Sequence, residues 1–400
     1  MRVLLADSLS DSVLEQLTLG KCHVENRPEL KGESLTQMMR DFQPQVLVVR
    51  STKVTEADFK AAPSLELVVR AGAGYDNIDV STASGFGVFV ANCPGKNSAA
   101  VAELTIGLIL SIDRSIPDNV IDARSGEWNK AKYGKANGVK GKVLGIIGLG
   151  SIGKEVITRA KGLDMQVVAW SRSLTAGMAR ELGVEMKATP NEVASASDIV
   201  TLHVASSAET KNLADSAFFE CLKPGAFFIN TTRADVVDEA AMVKCIEEKG
   251  LRVGLDVFSN EPSVKSGQFS HDLASNPSVY LTHHIGASTE QAQEAIAEEA
   301  GRIILGYAQT GEVQHCVNLA KLSPATHQIT IRHLDKVGVL ARVLKEISVA
   351  SWNVQEMENV VFDEAKAACA YIRFDGKSDQ SVVDTIAALD DVLAVTLIEL

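Results

Sequence analysis

A chain of 400 residues is long enough for two or three domains at roughly 100–200 residues each. With 46% hydrophobic residues it can build more than one core, and its formal charge of −12 argues against a general nucleic-acid or membrane-surface role. Its six cysteines (22, 93, 221, 245, 316 and 369) are scattered, with no Cys-x-x-Cys pair or His/Cys cluster, so reduced thiols and no metal site are expected.

The first residues, Val3-Leu4-Leu5-Ala6, read as a strand and not as a charged leader with an apolar core. The apolar stretch Leu104 to Ile112 is far short of the ~20 residues a spanning helix requires, so a soluble cytoplasmic protein is expected. Further strands are predicted at Val46–Val49 and Leu67–Arg70, then a glycine-rich turn at Gly72-Ala73-Gly74 and a strand at Gly87–Val90. Asn97-Ser98 is expected to cap a long helix carrying Val101, Leu104, Leu108 and Ile112 on one face. Val143–Ile147 opens a second α/β unit that continues to about Gly286, and a helix from Thr289 to about Tyr307 returns to the first. The resulting division is 1–96 with 286–312, then 97–285, a linker at 313–325, and a last segment at 326–400.

Gly148-Leu149-Gly150-Ser151-Ile152-Gly153 follows a buried strand and opens a helix, the context in which a glycine fingerprint binds a dinucleotide pyrophosphate. The next strand, Gln166–Trp170, ends in Ser171-Arg172-Ser173. No carboxylate stands there for a ribose 2′-hydroxyl; two hydroxyls and a guanidinium suit a 2′-phosphate, so NAD or NADP is expected.

Three later strand-like runs, Ala226–Asn230, Val253–Phe258 and Val279–Thr282, are followed by Arg233, Glu261 and His284. In a doubly wound sheet such strand ends converge on the cofactor crevice. Carbonyl reduction needs a proton donor with a pKa near working pH, usually histidine, and a carboxylate that orients the ring and favours imidazolium. Arg233 offers a fork of donors to a carboxylate and a developing alkoxide. His283 competes with His284, but adjacent strand residues point to opposite faces, so one alone can serve.

Across 50–307, Val49-Arg50-Ser51-Thr52, Arg70-Ala71-Gly72-Ala73-Gly74-Tyr75-Asp76-Asn77, Asn97-Ser98-Ala99-Ala100-Val101-Ala102-Glu103, the fingerprint, Gly254-Leu255-Asp256-Val257-Phe258 and His284-Ile285-Gly286-Ala287-Ser288 resemble the D-isomer-specific 2-hydroxyacid dehydrogenases, in particular the branch acting on a phosphorylated hydroxy acid. The resemblance implies two doubly wound parallel-sheet domains, one Rossmann-type for the nucleotide and one flavodoxin-like for the substrate. It makes Arg233, Glu261 and His284 the catalytic trio, places Asp256 on the nicotinamide carboxamide, and gives the substrate carboxylate to the amides of Ala73-Gly74-Tyr75. His203 joins the cofactor set, and Arg50, Arg70, Lys130 and Lys132 are candidates for the substrate phosphate, the lysines from a partner subunit of a homodimer or homotetramer. The chain departs from the pattern at His283, Ala205, Ala234 and Asp235.

The last segment reads strand–helix–strand–strand–helix–strand and resembles the ACT regulatory domains, with Val337 in place of a turn proline. In serine-regulated relatives the positions of His333, Asp335 and Asn353 bind L-serine, which makes it the candidate effector. Two other functions fit the same motifs: a glyoxylate or hydroxypyruvate reductase, favoured by Ser171-Arg172-Ser173, and a dinucleotide-sensing corepressor, which turnover of substrate would exclude.

Overall fold

Short runs with no polar alternation, such as Val46–Val49 with every residue buried, belong in strands covered on both faces, which is the environment of a parallel sheet. In the computed structural model, which describes residues 1–262 and 266–400, such runs build two parallel sheets. The chain divides into a unit Met1–Asn318, which holds both, and a unit Leu319–Leu400.

The first sheet contains β1 (Arg2–Leu5), β2 (His23–Asn26), β3 (Val46–Val49), β4 (Leu67–Arg70) and β5 (Phe89–Asn92), in the order β2-β1-β3-β4-β5. This is the flavodoxin-like arrangement. Strand β2 was not anticipated: His-Val-Glu-Asn carries one apolar residue and lies at the sheet edge, where little is buried. Strand β5 begins two residues later than its apolar pattern suggests, because a left-handed Gly87 still belongs to the turn before it.

The second sheet contains β6 (Val143–Ile147), β7 (Gln166–Trp170), β8 (Glu185–Met186), β9 (Ile199–Leu202), β10 (Phe227–Asn230), β11 (Arg252–Leu255) and β12 (Val279–Leu281). Its order, β12-β11-β10-β9-β6-β7-β8, reverses direction between β6 and β9, so their carboxyl ends open a crevice where a Rossmann sheet takes its ligand. The helix Ser98–Arg114 packs Leu108, Ile109 and Ile112 into this core beside Leu144 and Ile146. The helix Glu290–Thr310 buries Ile296, Ala300, Ile303 and Ile304 against Val3, Leu5, Val13 and Leu17, so the chain does return to the first sheet.

The second unit has β13 (His327–Leu334), β14 (Asn353–Val361), β15 (Ala367–Asp375) and β16 (Val392–Glu399), an antiparallel sheet in the order β14-β15-β13-β16. Helices Val339–Val349 and Gln380–Ala387 supply Val343, Ile347, Val383 and Ile386 to its core, where Trp352 and Phe374 stack with ring centroids 4.1 Å apart. Among the described residues no helix is long and apolar enough to cross a membrane.

Candidate active site

At the crevice, each fingerprint glycine meets a different demand. Gly148 has φ +99, and a Cβ there would fall 2.3 Å from the carbonyl oxygen of His203. A Cβ on Gly153 would fall 2.2 Å from the Gly148 carbonyl oxygen, so this glycine lets the helix close onto the strand. A Cβ on Gly150 would meet nothing within 4 Å, which leaves room for a ligand. The helix Ser151–Gly162 starts from Gly150 without a side-chain cap, and its free first-turn amides with the helix dipole favour an anion.

Four buried polar atoms around this cleft have no partner among the described residues: His203 Nδ1, Asn97 Oδ1, Ser98 Oγ and Arg70 Nε. An unsatisfied buried group costs ~1–3 kcal/mol, so a bound polar ligand is the economical explanation of the cluster. Asn97 stands at the N-cap position that the sequence pattern suggests, but its side chain makes no cap hydrogen bond and lines the cleft. His203 Nε2 bonds Thr201 Oγ1 at 3.0 Å, and burial pushes its pKa down to about 3, so the ring is neutral with one nitrogen to offer. These residues fit a dinucleotide, and the cleft of about 590 Å³ is of ligand size. Ser171, Arg172 and Ser173 follow β7 outside its lining, and Arg172 forms an exposed ion pair with Glu209 that leaves its guanidinium partly neutralised.

His284 and Glu261, 23 residues apart in sequence, meet with Nδ1 2.7 Å from Oε2. The other carboxylate oxygen of Glu261 accepts from the Phe258 amide at 3.1 Å, which fixes the carboxylate. The hydrogen bond and charge of Glu261 raise the His284 pKa against the opposing effect of burial. The choice between the two histidines does not rest on strand alternation, because β12 ends at Leu281 and His284 lies in a turn with φ +53. That left-handed conformation sends His284 into the cleft, whereas His283 is exposed and absent from its lining. Asp256 holds the turn. Its Oδ1 accepts from the Ile285 amide (2.8 Å) and Thr282 Oγ1 (2.6 Å), and its Oδ2 from the Gly286 amide (2.8 Å). Three of about four acceptor positions are thus taken, so the carboxylate first positions His284 and can spare little for a carboxamide.

Across the cleft, Arg233 donates through Nη1 to the Thr232 carbonyl at 2.8 Å and through Nη2 to Asp76 at 3.0 Å. A Cβ on Gly74 would lie 2.1 Å from that Nη2, so glycine is what lets the guanidinium reach the loop. None of the amides of Ala73, Gly74 and Tyr75 donates within the chain among the described residues, leaving the loop able to receive a carboxylate. Arg70 lines the same cleft, with Nε buried and unpartnered; burial and the neighbouring Arg233 push its pKa down to about 10, which keeps it charged at neutral pH. Arg50 does not line the cleft and donates instead to Gln293 at 3.3 Å. Lys130 and Lys132 do not reach the cleft of their own chain; Lys132 pairs with Asp122 at 3.0 Å. Asp76, Asn97 and Ser98 are cleft residues to which the sequence reading gave no ligand role, because polar side chains beside a glycine turn also read as surface.

Ala205, one of the departures from the family pattern, is held by hydrogen bonds. Thr210 Oγ1 donates to its carbonyl at 2.6 Å, and Ser206 donates to Asp235 at 2.6 Å, so Asp235 braces the loop. In the second unit, His333 is buried with Nδ1 against the Leu334 carbonyl and Nε2 3.1 Å from Asn359 Oδ1, so both ring nitrogens are engaged. Asp335 and Asn353 are exposed, and Asn353 pairs with Asp375 at the end of β14 opposite His333, whose register partner is Ala368. The three do not meet within one chain.

A Rossmann crevice with a paired histidine and carboxylate facing an arginine defines a dinucleotide-dependent dehydrogenase. The family model described as "D-isomer specific 2-hydroxyacid dehydrogenase, NAD binding domain" matches residues 106–286. The chain is 34% identical over 286 residues to a glyoxylate reductase of Thermococcus litoralis, an alignment covering 70% of this chain and 84% of that one. It is 38% identical over 311 residues to a D-3-phosphoglycerate dehydrogenase of Bacillus subtilis, covering 75% and 57%. A crystal structure of an NADPH-dependent glyoxylate/hydroxypyruvate reductase from Sinorhizobium meliloti with NADP and malonate superposes with a TM-score of 0.67 at 28% identity, covering 79% of this chain and 96% of that one. The chain belongs to the D-isomer-specific 2-hydroxyacid dehydrogenases. Its cofactor is NAD or NADP. It spans 57–64% of the length of the phosphoglycerate dehydrogenases of Archaeoglobus fulgidus, Methanocaldococcus jannaschii and Bacillus subtilis that it matches.

Proposed function

We propose that the chain is a D-3-phosphoglycerate dehydrogenase, which oxidises 3-phosphoglycerate to 3-phosphohydroxypyruvate at the entry to phosphorylated L-serine synthesis. The observation that carries this reading is Arg70. A 2-hydroxy acid with one carboxylate is served by Arg233 and the Ala73–Tyr75 loop, yet a second guanidinium lines the cleft with a buried Nε that has no partner among the described residues. A substrate with a second anionic group answers it.

NAD or NADP, held at the glycine turn and by His203, would supply the hydride acceptor when bound. His284 takes the hydroxyl proton as the carbon is oxidised and returns it in reduction, Glu261 holds the ring and stabilises its charged form, and Arg233 orients the carboxylate and hydroxyl oxygens. Asp76, which bonds Arg233, gives way to the substrate carboxylate. Arg70→Met is expected to raise the KM for 3-phosphoglycerate about 10- to 100-fold while changing that for an unphosphorylated 2-hydroxy acid little. Equal loss on both would remove the phosphate assignment.

Ser171-Arg172-Ser173 favours a second reading, an NADPH-preferring glyoxylate or hydroxypyruvate reductase, which a substrate panel run with both cofactors separates from the first. Absence of any turnover would favour a corepressor-like sensor. The four-stranded unit supports an ACT-like regulatory role with L-serine as effector. Since Asn353 and His333 stand at opposite ends of the sheet, such a site needs a second copy of the chain. Exposed Ile121 and Trp128 beside Lys130 and Lys132 support a homodimer or homotetramer through another face. Six thiols, none in a disulfide, suit a reducing cytoplasm.

A further inference from the structure

The stretch expected to be a free linker begins inside the first unit. Strand β5 lies at the edge of its sheet, and residues His315 to Asn318 add to that edge as an antiparallel strap, with a bridge between Ala91 and Cys316. The Asn92 amide donates to the His315 carbonyl (3.3 Å) and the Val317 amide to the Val90 carbonyl (2.8 Å). Asn318 then accepts from the Val90 amide (2.8 Å) and donates to the Val88 carbonyl (2.9 Å), so its side chain mimics one more strand residue. The other end is pinned by His315 Nε2, which lies 3.1 Å from Oε1 of the buried Glu299.

Asn92 joins this strap to the cleft. Its side chain is buried, and Nδ2 donates to the Ala73 carbonyl at 2.6 Å, while the next amide, Cys93, donates to the Gly72 carbonyl at 2.9 Å. Both carbonyls of the turn are therefore tied to the end of β5, and the turn's following amides are the ones left without acceptors.

We propose that Asn92 is a positioning residue for the carboxylate-receiving loop Ala73–Tyr75, and that the strap His315–Asn318, through which the chain passes into its second unit, sets Asn92 and so tunes substrate affinity. The proposal rests on the assignment of that loop to the substrate carboxylate. Asn92 touches neither the hydride path nor the proton path, so loosening it widens the loop's ensemble without removing a reacting group.

The test uses the full-length protein and three variants, Asn92→Asp, Asn92→Ala and Asn318→Ala, the last a partly exposed site that keeps the experiment readable if the buried position does not fold. Asn92→Asp preserves shape and removes the donor. The expected result is a three- to tenfold, in round terms about fivefold, rise in substrate KM with kcat and cofactor Kd within about twofold of wild type. Oxalate binding to the complex with reduced cofactor, followed by nicotinamide fluorescence, should weaken by the same factor. This second readout needs no phosphorylated substrate, so if the wild type fails to oxidise 3-phosphoglycerate the substrate assignment falls while the oxalate series still decides the role of Asn92. Unchanged oxalate affinity in Asn92→Asp and Asn318→Ala, no oxalate binding by wild type, or a parallel fall in cofactor affinity would each overturn the proposal.

Discussion

Replacing Glu261 by Gln keeps the shape of the partner of His284 and removes its charge. Glu261 is the largest cause of the raised His284 pKa, so the variant's histidine titrates lower. Charge-assisted bonds of this kind contribute ~1.5–3 kcal/mol, but the His284 side chain is 49% exposed, and solvent screening brings the expected effect to about 1 kcal/mol, or fivefold. The sign differs with direction. Reduction needs imidazolium, so its kcat/KM falls as pH rises through the His284 pKa; in Glu261→Gln that fall begins at lower pH, and the rate at about pH 8 drops about fivefold or more. Oxidation needs neutral imidazole, so its rising limb also moves to lower pH and activity on the acid side is relatively spared. The same linkage applies to stability. A folded-state pKa above the unfolded value stabilises the protein fully below about 6.5 and loses that contribution as pH rises through the folded value, and in the variant this dependence is weaker. The assay is kcat/KM against pH in both directions with cofactor saturating. Superimposable profiles for variant and wild type, or a limb displaced upward, would refute the pairing as the source of the proton donor's pKa.

His284→Gln should lower kcat about 10²–10⁴-fold with cofactor binding intact while His283→Gln is mild, and a reversed order in steady-state kinetics would reassign the acid. Gly74→Ala should displace the Arg233 guanidinium, because its Cβ would stand 2.1 Å from Nη2, and so lower kcat/KM at least about tenfold with little change in Tm. Asp256→Asn leaves one acceptor oxygen where two amides and a hydroxyl now bind, so a loss of about 1–3 kcal/mol in unfolding free energy and a fall in kcat are expected by denaturation and kinetics. Glu209→Gln should free Arg172 and improve the KM for NADPH relative to NADH by a few-fold, about threefold for an exposed pair, whereas Arg172→Ala should do the opposite.

The sequence by itself determined most strands of the two parallel sheets, the nucleotide crevice and the pool of candidate site residues, because these depend on local pattern. Continuous apolar runs mark strands buried on both faces, and a glycine fingerprint between strand and helix reports a backbone that must bend and approach closely. The edge strands β2 and β8 escaped since an edge needs little apolar material, and the short central strand β9 was not anticipated either. Partnership was decided by tertiary structure alone. That Glu261 reaches His284, that Asp256 spends its oxygens on the His284 turn, that Arg172 meets Glu209, and that the Asn97 side chain faces the cleft without a cap hydrogen bond all depend on distances between segments far apart in the chain. Nothing in residues 313–325 signals that their first half completes a sheet edge, because a strap of a few residues is held by backbone hydrogen bonds and one asparagine, which any short polar sequence can supply.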